Sequence, residues 1–310
     1  MKALVIKKYG EPEELTFEDV PQPVCKPADA LVKVHAAGIN PVDYKIRNGS
    51  LKFVFGRKFP KILGGEIAGI VEKAPQSGKF KEGDRVFAKL DGRWGGYAEY
   101  ACVDENHLCA LPEETGFNEG GAIPLAGLTA LQSLRDLGKI QNGNRVLING
   151  ASGGVGHFGV QIAKYFGAEV MAVCSEKNAE WVKELGADRV VDYQQEDILK
   201  LDDQYDIFFD VVPNKSPAKV KHLLKPRGIY VTTLPSAGII LHRFFNFLSS
   251  RKAFFILVKP SGKDLELISE MIRKGKFKPV IEKVFLLSQG PEAHKYIETG
   301  RVKGKIVFSM

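Results

Sequence analysis

The sequence predicts an α/β protein of two domains, an antiparallel, barrel-like β domain and a doubly wound parallel sheet. The parallel sheet is predicted because a glycine-rich run stands between a strand-like and a helix-like segment, and strand and helix signals then alternate. Two domains are expected because 310 residues exceed the usual length of one domain. Before the glycine-rich run, short segments separated by turns predict the barrel-like domain.

The first part of the chain contains a series of short strand-like segments. Apolar and polar residues alternate with a period of two, and proline- and glycine-containing corners separate the segments. The predicted strands are residues 2–7, 30–35, 67–73, 84–88 and 96–103. Two later segments, residues 283–287 and 304–308, are predicted to return to this domain, which then comprises residues 1–121 and 283–310.

The second domain, residues 122–282, is predicted around the glycine-rich run 149–156. Strand-like residues 145–148 precede this run and helix-like residues 155–166 follow it. Glycine allows the tight turn and lets the backbone approach a pyrophosphate, which the first amide groups of the helix face. No Gly-Lys-Ser/Thr closes the motif, so the phosphate loop of nucleoside triphosphatases is excluded. A glycine loop without a ligand is the structural alternative.

Helix and strand signals continue to alternate after this helix, with residues 218–224 as the last helix-like segment. The segments are residues 169–173, 179–185, 189–191, 205–212, 218–224 and 228–234. In such folds ligands bind at the carboxyl ends of the parallel strands, so the cleft beside the barrel-like domain is the expected site.

A nicotinamide dinucleotide is the cofactor expected for this pattern, held by the loop residues Ser152, Gly153, Gly154, Val155 and Gly156. The spacing of Gly150, Gly153 and Gly156 differs from the commonest Gly-x-Gly-x-x-Gly form. Context, rather than the spacing alone, therefore supports the prediction.

The end of the second strand of this domain indicates NADPH. Uncharged Ser175 is expected at the strand end, and Lys177 offers a cation for a 2′-phosphate. Glu176 keeps NADH open, because a strand end shifted by one residue would place its carboxylate on the ribose. Ser175 as a helix N-cap and Lys177 as a surface charge are the structural alternatives. Tyr193 is expected either beside the adenine or on the surface.

Composition and charge exclude several classes of protein. The 44 basic and 37 acidic residues give a net charge of +7, but the charges are dispersed, which argues against a dedicated nucleic-acid arm. The four cysteines lack Cys-x-x-Cys spacing, and the first residues resemble a strand rather than a signal peptide, so a reducing, cytoplasmic location is expected. The apolar stretch 237–258 contains four basic residues and is too polar to span a bilayer.

Seven motifs in order along nearly the whole chain resemble the zinc-independent quinone oxidoreductase branch of the medium-chain dehydrogenase/reductase superfamily. They are residues 37–43, 63–69, 80–86, 124–130, 150–156, 185–188 and 304–307. Within that branch, residues 40–46, 57–60 and 150–157 resemble chloroplast-envelope quinone oxidoreductase homologues and alkenal/one oxidoreductases. The resemblance implies a GroES-like catalytic domain, a Rossmann domain, NADPH, and reduction of quinones or α,β-unsaturated carbonyls.

The zinc enzymes of this superfamily carry a cysteine near the position of Asn40, a histidine in a Gly-His-Glu motif, and a further ligand near residues 125–126. Here the second motif reads Gly64-Gly65-Glu66 and no cysteine stands near Asn40. A catalytic zinc needs three protein ligands, so no metal is expected. The six histidines are scattered and are interpreted as surface or hydrogen-bonded side chains.

Hydride transfer without a metal requires donors for the developing oxyanion. Asn40 is predicted to cap a helix reciprocally with Asp43, whereas Tyr44 and Lys45 are the predicted catalytic residues, and Lys45 could also bind the cofactor. The alternative for both is a solvated helix face. The resemblance further places Thr129 beside the nicotinamide and the backbone of Thr233, Leu234 and Pro235 near its ribose.

The apolar segment 239–255 is compatible with a substrate wall, a membrane contact or a homodimer interface, of which the homodimer is preferred. A small apolar carbonyl or quinone is the expected partner. The alternative function is a non-catalytic NADPH-binding or RNA-binding relative of the same fold, which the net charge of +7 keeps open.

Overall fold

The computed structural model describes residues 1–92, 94–235, 239 and 250–310. The chain divides into two compact units, Met1–Leu128 with Lys259–Lys274 and Pro279–Met310, and Thr129–Val258 with Gly275–Lys278. The first unit therefore includes residues 122–128, 259–274 and 279–282, which the sequence-based boundaries placed in the second domain.

A helix late in the chain accounts for much of this difference. The helix Gly262–Arg273 packs on the strand Leu108–Ala110, and a Cβ on Gly262 would lie 2.2 Å from the Leu108 carbonyl oxygen. The Ser269 hydroxyl lies 3.6 Å from the Cys109 sulfur. These interactions join the helix to the first unit.

The first unit is mainly antiparallel β-structure with short helices. Its strands are β1 (Lys2–Ile6), β2 (Thr16–Asp19), β3 (Asp29–Ile39), β4 (Lys61–Ile62), β5 (Glu66–Lys73), β6 (Arg85–Lys89), β7 (Tyr100–Asp104), β8 (Leu108–Ala110), β15 (Ile281–Leu286) and β16 (Lys305–Ser309). Its helices are α1 (Pro41–Arg47), α2 (Lys52–Phe55), α3 (Phe117–Ala122), α7 (Gly262–Arg273), α8 (Gly290–Glu298) and the first part of α4 (Pro124–Gln132).

Seven strands of this unit form one sheet in the order β15-β16-β3-β5-β6-β8, with β7 also paired to β3. β3 is long enough, at 11 residues, to pair with β16 near its end and with β7 near its start. A smaller sheet has the order β2-β1-β4. The two late segments predicted to return to the first part of the chain contain β15 and β16, and β16 pairs with β3.

The second unit contains a six-stranded sheet whose strands all run parallel, in the order β11-β10-β9-β12-β13-β14. The strands are β9 (Arg145–Asn149), β10 (Glu169–Cys174), β11 (Arg189–Asp192), β12 (Tyr205–Asp210), β13 (Leu224–Thr232) and β14 (Lys252–Phe255). Its helices include α5 (Gly156–Tyr165), α6 (Ala179–Glu184) and the end of α4, which continues into a π-helical segment, Ser133–Leu137. This order is that of a dinucleotide-binding fold.

One helix prediction in this unit is wrong. Residues 218–224 form turns and a short 3₁₀ segment, Lys221–Leu223, and β13 begins at Leu224. The apolar side chains of Val220, Leu223 and Leu224 are buried, so they pack into the core without a full helical turn. In the described part of the chain, no helix is long and apolar enough to cross a membrane. Most of the apolar segment 239–255 lies outside the described residues.

The cysteines correct the expectation of a fully reduced protein. Cys25, before β3, forms a disulfide with Cys102 in β7 across 77 residues of sequence, whereas Cys109 and Cys174 are free and buried. Sequence spacing did not indicate this pair, because the pairing of β3 with β7 is what brings the two residues together. The cysteine content therefore gives no support to a reducing compartment.

Reduction of this disulfide is expected to lower the melting temperature by about 5 °C or more. The bond restricts the unfolded chain and thereby adds about 2–4 kcal/mol to the free energy of unfolding. Thermal unfolding with and without a dithiol reductant measures the effect. A double variant, Cys25→Ser with Cys102→Ser, should show the lower value in both conditions. Detection of four free thiols in the unreduced protein would contradict the assignment.

Candidate active site

The glycine-rich loop of the second unit connects β9 to α5, as the sequence predicted. Gly150 adopts a φ of +88°, which favours glycine, and a Cβ there would lie 2.3 Å from a methyl group of Val212. A Cβ on Gly156 would lie 2.1 Å from the Gly150 carbonyl oxygen. Both positions therefore require glycine for the turn itself.

Gly153 differs from these two glycines. The nearest atom to a Cβ built there is the Gly150 carbonyl oxygen at 3.6 Å, so the turn leaves space beside this residue. Ser152, Gly153, Gly154 and Val155 precede the helix, which has no side-chain cap, and the His157 amide donates to the Gly153 carbonyl oxygen at 3.1 Å. A backbone with free space at the start of a helix fits a pyrophosphate.

The end of β10 is adjacent to the loop. β10 ends at Cys174, and Ser175 follows it, as predicted. The Asn178 amide group donates to the hydroxyls of Ser152 (3.2 Å) and Ser175 (3.3 Å), so it joins two predicted cofactor residues. Asn178 was not predicted as a site residue, although it follows Lys177 directly in the sequence.

Two predicted residues near this strand end are exposed. Lys177 and its neighbour Glu176 lie in a 3₁₀ segment, Glu176–Asn178, and both face solvent. Tyr193 is 59% exposed, and its amide group donates to the Cys174 carbonyl at 3.3 Å. These side chains lie at the end of the strand where the adenine ribose is expected.

A buried polar cluster at the ends of β9, β12 and β13 was missed by the sequence interpretation. The Asn149 amide group donates to Asp210 (2.7 Å) and to Asn214 (2.9 Å), and the Tyr230 hydroxyl donates to Asp210 (2.7 Å). Burial is the main cause that raises the pKa of the Asp210 carboxyl. The sequence did contain a signal for this cluster, because two apolar strands end in a polar residue. β9 ends at Asn149, directly before Gly150, and β12 ends at Asp210.

The predicted residues after β13 lie beside this cluster. The Thr233 amide group donates to the Asp210 carbonyl oxygen, and its hydroxyl donates to the Val211 carbonyl oxygen at 3.0 Å. Leu234 is 40% exposed and Pro235 is exposed. The structure therefore brings this segment and the start of the glycine loop to the same edge of the sheet.

The predicted cap of α1 in the first unit is confirmed. The main-chain amide of Asn40 donates to the Asp43 carboxylate at 2.7 Å, and the helix begins at Pro41. The Tyr97 hydroxyl donates to the same Asp43 oxygen at 2.8 Å. Asp43 is fully buried, and burial is the first cause that raises its pKa from 3.8 to about 7.

Asn40 also belongs to a second group of contacts that the sequence did not reveal. Its side-chain amide donates to Glu66 Oε1 at 2.7 Å, and Lys305 Nζ donates to the same Glu66 oxygen at 2.8 Å. Glu66 is 0% exposed and Lys305 is 3% exposed. A buried ion pair therefore lies directly behind the start of α1.

The predicted catalytic residues Tyr44 and Lys45 are partly buried in α1. Burial lowers the pKa of the Lys45 ammonium, and among the described residues no carboxylate pairs with it. Burial, and then the charge of Glu298, raise the pKa of the Tyr44 hydroxyl. Thr129 is buried within α4, as part of the second unit.

His294 departs from the expectation that the histidines are surface or hydrogen-bonded groups, and His242 lies outside the described residues. His294 is fully buried, and neither of its ring nitrogens has a hydrogen-bond partner within the described residues. Burial, helped by the charge of Arg47, lowers its pKa to about 3, so the ring is neutral.

Comparison with known proteins places the chain in a family. Residues 26–113 match the family model described as alcohol dehydrogenase GroES-like domain, and residues 185–308 match the one described as zinc-binding dehydrogenase. A chloroplastic quinone-oxidoreductase homolog of Spinacia oleracea is 34% identical over 99% of this chain and 98% of that protein. The chain belongs to the quinone oxidoreductases of the medium-chain dehydrogenase/reductase superfamily.

Further relatives agree with membership of this family. A mitochondrial NAD(P)H oxidoreductase of Bos taurus is 33% identical over 100% of this chain and 89% of its own, and a 2-methylene-furan-3-one reductase of Solanum lycopersicum is 35% identical over 99% and 79%. The structure of the quinone oxidoreductase from Coxiella burnetii superposes with a TM-score of 0.90 at 32% identity, covering 100% of this chain and 99% of that one. This member of the quinone oxidoreductase family is a nicotinamide-dependent oxidoreductase, and the loop of its second unit fits the cofactor.

The first unit does not fit the zinc ion implied by one family description. The position beside Asn40 and Glu66 is taken by the Lys305 ammonium, and a cation there opposes a second cation. Residues 1–92, 94–235, 239 and 250–310 contain no group of three or more His, Cys, Asp or Glu side chains suited to a metal. Absence of a zinc requirement stays a prediction from this donor set.

Asp43 should make the free energy of unfolding fall as pH rises. Its folded pKa is raised from 3.8 to about 7, so the protonated form is favoured in the fold, and this contribution is full below about pH 4 and lost as pH approaches 7. The Asp43→Asn variant should lack that decline, which amounts to about 1.4 kcal/mol for each pKa unit. Urea unfolding at several pH values measures the slopes. The exposed Asp202→Asn variant is the control, and equal slopes in wild type and Asp43→Asn would contradict the assignment.

Proposed function

We propose that the protein is an NADPH-dependent reductase of quinones or α,β-unsaturated carbonyl compounds that works without zinc. The observation that carries the proposal is the dinucleotide-type glycine loop in a chain whose relatives, matched over nearly its whole length, are named quinone oxidoreductase and 2-methylene-furan-3-one reductase. These enzyme names favour a reductase over the alternative cofactor-binding or RNA-binding role. A small, apolar carbonyl or quinone is the proposed substrate.

The proposed preference for NADPH rests on the residues after β10. Ser175 is uncharged and follows the last residue of the strand, and the exposed Lys177 is available to a 2′-phosphate. Glu176 is exposed beside it, so NADH is the alternative cofactor. Ser152, Gly153, Gly154, Val155 and Gly156 are proposed to bind the pyrophosphate, with Thr129, Tyr193, Thr233, Leu234 and Pro235 along the rest of the cofactor.

The proposed chemistry is hydride transfer to a conjugated system. A bound nicotinamide supplies the hydride, and negative charge then develops on the carbonyl oxygen of the substrate. Lys45 is proposed to stabilise that oxygen as a cationic donor, and Tyr44 as a neutral one. Lys45 is partly buried and has no carboxylate partner among the described residues, which suits it to this role, because burial lowers its pKa and its charge stays available to the substrate oxygen.

We also propose a homodimer and a cytoplasmic location. The apolar residues that suggest a dimer, 239–255, are mostly outside the described part of the chain. Relatives include proteins named mitochondrial and chloroplastic, and the Cys25–Cys102 disulfide does not favour a reducing compartment.

NADPH oxidation should be driven by a panel of α,β-unsaturated aldehydes and ketones or by a panel of quinones, and should be unaffected by a metal chelator. The Lys45→Met variant should lose about 10- to 100-fold in kcat, because it loses one hydrogen bond from a charged group to the developing oxyanion. Because burial lowers the pKa of Lys45, activity should fall at a lower pH than that of an ordinary lysine. The absorbance of the reduced cofactor, followed with NADPH and with NADH, measures all three effects.

The Lys45→Arg variant is the matched control, since a guanidinium stays protonated and should remove the alkaline decline. Tight binding of NADPH without turnover on either panel would overturn the proposed function. Turnover by Lys45→Met at the wild-type rate would overturn the role of Lys45 alone.

Two glycine variants separate folding from cofactor binding. Gly156→Ala should lower both the free energy of unfolding, by about 1–3 kcal/mol, and the affinity for NADPH, because its Cβ would meet the Gly150 carbonyl oxygen. Gly153→Ala should unfold like wild type but bind NADPH about tenfold more weakly, because its methyl group would stand where the pyrophosphate approaches. Thermal unfolding and cofactor fluorescence measure the two effects. Equal NADPH affinity in Gly153→Ala and wild type would show that the cofactor does not approach this residue.

A further inference from the structure

A buried lysine at the start of β16 contacts the residues that begin α1. Lys305 Nζ donates to Glu66 Oε1 at 2.8 Å and also to the side-chain oxygen of Asn40. Lys305 is 3% exposed and Glu66 is 0% exposed, so the pair lies out of water. Residues 40 and 305 are far apart in sequence, and this contact joins the end of β3 to β16.

Asn40 connects the Lys305 ammonium to α1 through hydrogen bonds. Its side-chain oxygen accepts from Lys305, its side-chain amide donates to Glu66 at 2.7 Å, and its main-chain amide donates to Asp43 at 2.7 Å. Asp43 lies in the first turn of α1, directly before Tyr44 and Lys45. Two hydrogen bonds therefore separate the buried cation from the helix that carries the proposed oxyanion donors.

Glu66 extends the same group of contacts to a second helix. Its other oxygen, Oε2, accepts from the Leu125 amide at 2.6 Å, in the first turn of α4. A Cβ on Gly38 would lie 2.1 Å from Glu66 Oε1, so the backbone of β3 is packed directly against the carboxylate. The carboxylate thus has a fixed place, with a donor on each oxygen.

Other ionisable groups near the pair do not replace Lys305. Lys89 lies opposite Glu66 in the β5–β6 ladder, but its ammonium donates to the Leu90 carbonyl oxygen. Asp43 is hydrogen-bonded to Asn40, and the charges of Glu66 and Lys305 also act on its carboxyl group. A buried ion pair is often no more stabilising than apolar residues of the same size, so stability alone is a weak reason for this arrangement.

We propose that Lys305 is a positioning residue for the oxyanion donors of α1. Through Asn40 and Glu66, its ammonium holds the first turn of the helix, and with it Tyr44 and Lys45, in the orientation that hydride transfer requires. This proposal rests on the proposed function, in which Lys45 stabilises the substrate oxygen.

The test compares Lys305→Met, Lys305→Arg and the double variant Glu66→Gln with Lys305→Met in the full-length protein. Glutamine can accept from Leu125 with its oxygen, and its amide nitrogen can donate to the Asn40 oxygen once the Asn40 side-chain amide turns over. The double variant therefore leaves no buried charge unpaired and should fold even where Lys305→Met does not. Lys283→Met, on the neighbouring strand β15 and paired with Glu292 at the surface, is the matched control.

Two readouts are taken on each folded variant: kcat and KM with NADPH, and the rate at which acetic anhydride modifies Lys45 as a function of pH, followed by peptide mass spectrometry. The double variant should lose about 10- to 100-fold in kcat with little change in the KM for NADPH, as expected for misplaced catalytic groups. Its Lys45 should also titrate at a different pH. Lys305→Arg should recover most of the kcat, and Lys283→Met should match wild type in both readouts.

Wild-type kcat and wild-type modification of Lys45 in the folded double variant would overturn the proposal. If wild type reduces neither quinones nor enones, the proposed function fails, and the modification of Lys45 then decides the positioning role by itself. If the pH dependence of Lys45 modification changes in the double variant and is normal in Lys305→Arg, the positioning role is supported. If it does not change in the double variant, the positioning role is overturned.

Discussion

The close approach of Gly156 to the Gly150 carbonyl oxygen is the contact on which the second unit depends. It lets the chain turn from β9, which ends at Asn149, into α5, which begins at Gly156. β9 is an inner strand of the parallel sheet, whose order is β11-β10-β9-β12-β13-β14. Any side chain at Gly156 would push the helix away from the strand. The same tight turn leaves free space at Gly153, so the geometry that packs the helix also exposes backbone to an anion.

The parts of the fold that local sequence determines were predictable. The strand, turn and helix around residues 145–166 were identified because glycine and apolar periodicity act over a few residues. The 3₁₀ turn at Lys221–Leu223 was mistaken for a helix because its apolar residues are spaced as in a helix but are buried by a chain that soon becomes β13. The periodicity of apolar residues indicates which side chains are buried, and side chains can be buried without forming a complete helix.

The contacts that join distant segments were not predictable in the same way. The Asn40–Asp43 cap was found from spacing alone, because both residues lie in one turn. Lys305, Glu66 and the disulfide partners Cys25 and Cys102 come together only through strand pairing, and no short-range pattern marks them. The buried Asp210 cluster likewise depends on three parallel strands ending at one edge. Sequence thus predicted the turn of the glycine loop better than the contacts of the polar interior.

The position of β16 has a consequence for synthesis on the ribosome. This strand lies between β15 and β3, so the main sheet of the first unit has a gap until residues 281–309 have emerged. The second unit is built almost entirely from residues 129–258 and can complete its parallel sheet earlier. The end of β3, residues 36–39, therefore has one edge unpaired while more than half of the chain is made, and its exposed backbone is open to wrong partners in that interval.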